Sequence, residues 1–383
     1  MGTRSASRSV EYLIDLGGVV LQAMETPGHT PEHLAYVLSE SGRPFAVFTG
    51  GSLLLGSAGR TDLSGDRSTQ DLTKAQFHSL RRLADLPDQT RVLPTHGAGS
   101  FCAATAPSQQ PASTIGLQRR DNPAMLAPDE DSFVRQQLRG LPLYPSYYRH
   151  MAPTNRAGPT VRGRLPDLRA LSPADVEPLA RSGMWIVDIR DRWSFAVAHI
   201  PGSINVELDD VFASFVGWVV PFGAPIVLVV PEGGERHGQE ALTQLFRIGY
   251  EQVEGYLAGG VQAWLATRRT VKSYPVADVD DLCRASATDA HPLVLDVRQP
   301  SERTQGVIPG SVQLFVGDLP ERVDELPKNR EIWTICRSGY RAAIAASLLD
   351  RAGSRVRPVA REGVERWLAL SAASDEVQPA ARR

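Results

Sequence analysis

Short unbroken apolar runs alternate with helical stretches over the last two thirds of the chain. Ile226–Val230 is one such run, Pro292–Val297 a second and Glu331–Ile335 a third. Between and after them lie segments such as Arg341 to Ala352, rich in Ala and Leu and ended by Gly353. Strands covered on both faces read as continuous rather than alternating apolar runs. Strands interleaved with helices at this spacing predict α/β domains with a mainly parallel sheet. The stretch 103–166 is different, rich in Pro, Gly, Ser and Gln, with a helix expected around Asp131–Leu138 and an aromatic cluster of Tyr144, Tyr147 and Tyr148. It reads as the end of a first domain followed by a linker that packs against its neighbours.

The apolar runs belong to an internal repeat. One copy holds Trp185-Ile-Val-Asp188-Ile-Arg190, then His199-Ile-Pro201-Gly202-Ser203, then Gly259-Gly260-Val-Gln-Ala-Trp264. The other holds Leu293-Val-Leu-Asp296-Val-Arg298, then Val307-Ile-Pro309-Gly310-Ser311, then Gly363-Val-Glu-Arg-Trp367. The step from Asp188 to Asp296 equals that from Pro201 to Pro309, and the step from Trp264 to Trp367 is nearly the same. The domains expected are residues 1–155, 156–270 and 271–383.

Length and composition agree with several domains: 383 residues, 42% hydrophobic and 22% charged. A net charge of -2 offers no basic surplus for nucleic acid. The longest apolar runs are strand length, far short of the roughly 20 residues a spanning helix needs. The first ten residues carry no apolar stretch fit for export. Three cysteines, Cys102, Cys283 and Cys336, are too sparse for a disulfide framework and suit a reducing, cytoplasmic setting. None of the eight histidines sits in a closely spaced cluster such as H-x-H.

The chemistry lies in the second copy. Cys336-Arg337-Ser338-Gly339-Tyr340-Arg341 follows a strand directly and opens a helix. A short loop there can aim its backbone N–H groups at the sulfur, and the positive end of the helix points the same way. Arg337 and Arg341 add fixed positive charge. These effects favour thiolate, the nucleophilic form, and would also hold the negative outer sulfur of a persulfide. Gly339 lets the loop curl where a side chain would clash. A buried structural cysteine is the alternative, opposed by two arginines and a glycine in one tight turn. In the first copy the corresponding strand runs into Pro231-Glu232-Gly233-Gly234-Glu235, and no cysteine lies between Cys102 and Cys283. That copy cannot carry a cysteine persulfide, its glutamates would repel an anionic donor, and His199 is read as structural.

The loop, with Asp296-Val-Arg298 and Ile308-Pro309-Gly310 upstream and Gly363 to Trp367 downstream, resembles the rhodanese family. The resemblance implies a sulfurtransferase that takes sulfane sulfur onto Cys336 from thiosulfate or a low-molecular-weight persulfide. A thiol or cyanide then removes it. Arg341 and Arg337 would hold the anionic reactants, Ser338, Gly339 and Tyr340 would cradle the outer sulfur, and no cofactor is needed. Phosphatases with a related loop place five residues between cysteine and arginine; here there are four, a ring better suited to one sulfur atom than to a phosphate.

Residues 11–102 carry Thr26-Pro-Gly-His29-Thr-Pro31, Phe48-Thr-Gly-Gly51-Ser52, Gly59-Arg-Thr-Asp62 and Leu93-Pro-Thr-His96-Gly97. Together they are similar to the second half of a metallo-β-lactamase-fold domain, and the order resembles persulfide-dioxygenase-like proteins in which that domain precedes rhodaneses. The first-half H-x-H-x-D-H motif is not present, and Gly51 stands where the family has a metal-binding aspartate. His29 and His96 alone remain at family ligand positions, too few for a tight site. The fold class expected is therefore α/β, with two tandem rhodanese domains preceded by a partial metallo-β-lactamase-like αβ sandwich. Leu53–Leu55 and Phe45–Phe48 would lie uncovered on the half-sandwich, which is expected to pack on the rhodanese pair or form a homodimer. Two rival functions are an iron-dependent persulfide dioxygenase with a helper rhodanese and a sulfur-binding scaffold without catalysis.

Overall fold

The computed structural model describes residues 12–63, 66–95, 112–139, 141, 143–158, 160–161, 163–287 and 292–377. These fall into two compact units, one reaching Tyr144 and the other starting at Pro145.

The first unit is a single sheet with helices on one face. Its strands are β1 (Leu13–Asp15), β2 (Val19–Glu25), β3 (Leu34–Glu40), β4 (Arg43–Gly50), β5 (Arg91–Pro94) and β6 (Ser113–Thr114), hydrogen-bonded in that order. All neighbours are antiparallel except β4 and β5, which are joined by the helix Asp66–Ala84. Alternation in β3, and in β4 beyond a bulge at Phe45, sorts the side chains by face. Ala35, Val37 and Val47 turn inward onto Leu80, Leu83 and Phe133, while Leu34, Tyr36, Phe45 and Phe48 face outward, 38% to 44% exposed.

The expectation that Leu53–Leu55 would lie uncovered is corrected, since all three are buried. Thr49 Oγ1 donates to the Leu53 carbonyl at 2.7 Å, and Asn122 Nδ2 donates to the carbonyls of Leu54 and Ser57 at 3.2 and 3.0 Å. These bonds fold the segment under the helical layer. Of the range Phe45–Phe48, expected to lie uncovered, Phe45 and Phe48 are exposed, while Ala46 and Val47 are buried.

The second unit contains the repeat. In the first copy β7 (Ala170–Leu171), β8 (Trp185–Asp188), β9 (Ile204–Asn205), β10 (Ile226–Val229) and β11 (Val253–Leu257) form a parallel sheet in the order β7-β11-β10-β8-β9. In the second copy β12 (Leu293–Asp296), β13 (Val312–Gln313), β14 (Ile332–Ile335) and β15 (Val356–Pro358) run β13-β12-β14-β15, again parallel. A parallel bridge between Ala277 and Val359 stands in the second copy for the β7–β11 pairing of the first. The repeat extends to helix starts. Ser172 with Asp175 and Asp278 with Asp281 form matching capping boxes, each satisfying N–H groups that a helix start leaves open.

The Asp-x-Arg element is a structural bolt in both copies. Asp188 takes Arg190 Nη2 at 2.6 Å, and Arg190 goes on to the Ala198 carbonyl at 2.8 Å. Asp296 takes Arg298 Nη2 at 2.7 Å, and Arg298 goes on to the Gly306 carbonyl at 2.8 Å. Both carboxylates are fully buried, where an unpaired charge would be strongly destabilising.

Each copy has an apolar cluster of its own, and the two share a third. The shared cluster holds Val187, Phe195 and Val216 of the first copy with Leu295, Phe315 and Ile344 of the second. Trp218 meets Phe315 edge-on, with ring centroids 4.7 Å apart, and the Asn205 N–H donates to Ser347 Oγ at 2.9 Å. Tyr147 belongs to the same cluster, so the start of the unit packs on the first copy as the aromatic run suggested. Among the described residues no helix is long and apolar enough to cross a membrane.

Candidate active site

Strand β14 is buried along its whole length and delivers Cys336 at its end. Thr334 Oγ1 donates to the Ala342 carbonyl at 2.8 Å, so the strand is tied to the helix Tyr340–Arg351 that follows the loop. The turn between them is shaped by two glycines. Gly339 has φ +89°, and a Cβ there would stand 2.1 Å from the Ala360 carbonyl oxygen. A Cβ on Gly363 would stand 2.1 Å from the Cys336 carbonyl oxygen and 2.4 Å from that of Arg337. Val364 N–H closes the arrangement by donating to the Cys336 carbonyl at 3.0 Å. The loop is therefore pressed between its own helix and the 360–364 segment, where side chains have no room.

Cys336 is 1% exposed, and its Sγ accepts the Gly339 N–H at 3.2 Å. The expected cradle of several amides reduces to this one N–H donor among the described residues. Arg341, from the first turn of the helix, interacts electrostatically with Cys336. Glu302 grips that guanidinium at both ends, at 2.5 and 2.7 Å. Burial would lower Arg341, but Glu302 and Cys336 outweigh it and hold the guanidinium above its ordinary value. Burial would likewise raise the Glu302 carboxyl, and Arg341 holds it below the usual range.

The other expected residues divide. Arg337 is turned away: its side chain is 68% exposed and pairs with Glu365 at 3.0 Å, because the loop curls its Cα outward. Ser338 is exposed at the rim. The Tyr340 side chain does not cradle sulfur; its hydroxyl donates to the Glu207 carbonyl at 2.9 Å and lies 3.2 Å from Asp209 Oδ1, both in the first copy. Burial, reinforced by Asp209, pushes the phenol well above its ordinary value. It is a neutral bolt between the copies.

Arg192, which sequence reasoning missed, stands on the other side of the loop. It belongs to the first copy, yet it interacts electrostatically with Cys336 and donates to the carbonyls of Ser338 and Ala360 at 3.2 and 3.3 Å. Glu207 holds it through Nε and Nη2, both at 2.7 Å. Two Arg–Glu pairs, one from each copy, thus act electrostatically on Cys336. The available signal was an arginine at the position where the second copy, aligned on Asp-x-Arg, has Pro300.

The first copy has no equivalent sulfur. Ile189 N–H bonds the Val229 carbonyl as Val297 N–H bonds that of Ile335, which places Val230 where Cys336 stands. Val230 is buried, and a Cβ on Gly260 would stand 2.8 Å from its carbonyl oxygen, as Gly363 does for Cys336.

In the first unit, His29 Nδ1 lies 2.8 Å from the Arg60 carbonyl, and a Cβ at Gly51 would stand 2.2 Å from the His29 ring. The imidazole fills the space a carboxylate at position 51 would need. His33 accepts the Gly51 N–H on Nε2 at 3.1 Å, so its proton is on Nδ1, 2.8 Å from Thr26 Oγ1. Burial, helped by His29, lowers His33 to about 4. His96 lies outside the described residues. Both His33 nitrogens are taken by the protein, and among the described residues no three His, Cys, Asp or Glu side chains converge. These donors do not fit the metal that such a fold implies.

The rhodanese-like domain family model matches residues 172–267 and again 278–370. A sulfurtransferase of Allochromatium vinosum is 36% identical over 91 residues, covering 24% of this chain and 84% of that protein. A hydroxyacylglutathione hydrolase of Pseudomonas entomophila is 30% identical over 129 residues, covering 28% of this chain and 47% of the relative, so the chain spans about half its length. The crystal structure of a metallo-β-lactamase from Staphylococcus aureus superposes with a TM-score of 0.54 at 26% identity, covering 65% of this chain and 69% of that one. The chain belongs to the rhodanese-like family, with two copies of its domain following a segment of metallo-β-lactamase-like fold.

Proposed function

We propose that the protein is a sulfurtransferase that carries sulfane sulfur on Cys336. The observation that carries this reading is one cysteine sulfur accepting the Gly339 N–H within the electrostatic reach of Arg341 and Arg192. As thiolate, Cys336 attacks the sulfane sulfur of thiosulfate or of a low-molecular-weight persulfide. A new S–S bond forms, the donor's S–S bond breaks, and sulfite or a thiolate leaves with the electron pair. The outer sulfur of the resulting persulfide carries negative charge, which the guanidinium groups and the amide offset. Cyanide or a thiol then attacks that sulfur, and Cys336 is released as thiolate. No electrons are gained or lost over the cycle.

The tight burial of Cys336 supports a small terminal sulfur as the reacting atom. Reaction at the first copy is excluded by Val230, and dioxygenase chemistry in the first unit is opposed by the donor set around His29. The test is intact mass spectrometry after incubation with thiosulfate. One added sulfur atom mapping to residue 336, lost on adding cyanide and missing in Cys336→Ser, is the expected result. A wild-type protein left unloaded by both thiosulfate and a low-molecular-weight persulfide overturns the reading.

A further inference from the structure

We propose that Arg192, carried by the copy that has no nucleophile, is a positioning residue for Cys336, acting through the Ser338–Gly339 peptide. Arg192 Nη1 donates to the Ser338 carbonyl oxygen at 3.2 Å. The N–H at the other end of the same peptide, that of Gly339, donates to Cys336 Sγ at 3.2 Å. The peptide is planar and trans, so its oxygen and its hydrogen point in opposite directions. A group that fixes the oxygen therefore fixes the direction of the N–H. A cation on the oxygen also draws charge from the nitrogen side and makes that N–H a stronger donor to sulfur.

The grip sits where the backbone most needs it. Gly339 has φ +89°, and a glycine tolerates either sign of φ, so rotation of the peptide before it meets little steric resistance. Turned over, that peptide would present its carbonyl oxygen to the sulfur and repel a persulfide. Arg192 Nη1 also donates to the Ala360 carbonyl at 3.3 Å, the oxygen against which Gly339 packs. One guanidinium nitrogen thus ties the two segments that wall the loop.

Arg192 is itself held rigid. Its backbone N–H donates to Glu207 Oε1 at 2.6 Å, and its Nε and Nη2 bond the same carboxylate. Its guanidinium lies 5.2 Å from the Trp193 ring centroid and 5.5 Å from that of Tyr340. A lysine has one ammonium and no planar fork, so it cannot meet Glu207 side-on and both carbonyls together. Pro300 at the aligned place in the second copy shows that this arginine is no part of the repeat. It belongs to the pairing of the copies, and it gives the sulfur-free copy a task in the chemistry of the other.

The inference rests on the sulfur-transfer reading, and the test separates the two. Full-length Arg192→Lys and Arg192→Ala are assayed with thiosulfate and cyanide, each shown folded by its melting curve. The same proteins are labelled with 13C at the serine carbonyl and 15N at glycine, so that only the four Ser–Gly peptides report by NMR, and the Ser338–Gly339 signal is the one lost in Ser338→Ala. Both variants are expected to lose about 10- to 100-fold in kcat, with donor KM changed by less than about twofold. The Gly339 amide signal is expected to move in both, and also in Cys336→Ser, which removes its acceptor. A lysine variant with wild-type kcat, a defect confined to KM, or an unmoved Gly339 signal overturns the inference. If the wild type takes up no sulfur but the Gly339 signal moves in Arg192→Lys, sulfur transfer falls and the peptide link stands. If the wild type and Arg192→Lys load sulfur equally fast, only the link falls.

Discussion

His199 of the first copy and Asp350 of the second meet inside the second unit, Nε2 to Oδ2 at 3.3 Å, with the histidine fully buried. His199 Nδ1 is anchored on the Phe195 carbonyl at 2.9 Å, and Lys272 approaches Asp350 at 3.1 Å from the outside. This junction and the shared apolar cluster make the two copies one cooperative body. Asp350→Ala is expected to destabilise the second unit by about 3 kcal/mol, the usual scale for removing one member of a buried charged group. Urea unfolding followed by tryptophan fluorescence checks it. Separate transitions for the two copies would contradict the shared core.

The two arginines of the Cys336 loop are expected to behave differently. Arg341 interacts electrostatically with Cys336, so Arg341→Ala should reduce kcat/KM for sulfur transfer by about 100-fold, the scale found when one preorganised charge-stabilising donor is removed. Arg337 pairs with Glu365 in solvent, and an exposed ion pair contributes little. Arg337→Ala should stay within about twofold of the wild type. Steady-state thiocyanate formation distinguishes the two, and equal losses would contradict the geometry.

Restoring the carboxylate in the first unit is not expected to restore a metal site. In Gly51→Asp the new Cβ would stand 2.2 Å from the His29 ring, which is fixed on the Arg60 carbonyl. Overpacking of this kind costs about 1–3 kcal/mol. Denaturant titration should show that loss, and elemental analysis should show no stoichiometric iron or zinc. A stabilised variant that copurifies with metal would contradict the collapsed arrangement.

His33 should make the first unit sensitive to mild acid. Its pKa is about 4 when folded and 6.5 otherwise, so between those values the unfolded chain binds more protons. Stability is then full above about 6.5, falls as the pH drops, and is lost fully near 4. After discounting for solvent screening of a half-buried ring, the loss is about 1–2 kcal/mol. His33→Gln should flatten this slope in urea melts compared at pH 7 and pH 5. An unchanged slope would sink the assignment.

The chain's one-dimensional pattern was enough for the repeat, the parallel sheets and the place of Cys336 between a strand and a helix. Apolar runs such as Ile226–Val230 read as strands covered on both faces, and a cysteine followed by two arginines and a glycine reads as a tight turn between strand and helix. These are local consequences of composition and spacing. Arg192 and Ser338 are different, being 146 residues apart, and they meet only because the two copies bury a common core. Rotamers were equally out of reach: Arg337 and Arg341 have the same charge in the same motif, but the curl of the loop pairs one with Glu365 and leaves the other within the electrostatic reach of Cys336. Which residue types are present, and in what order, follows from sequence; which of their charges share a low-dielectric space follows from packing, because Coulomb interaction depends on distance in three dimensions and not along the chain.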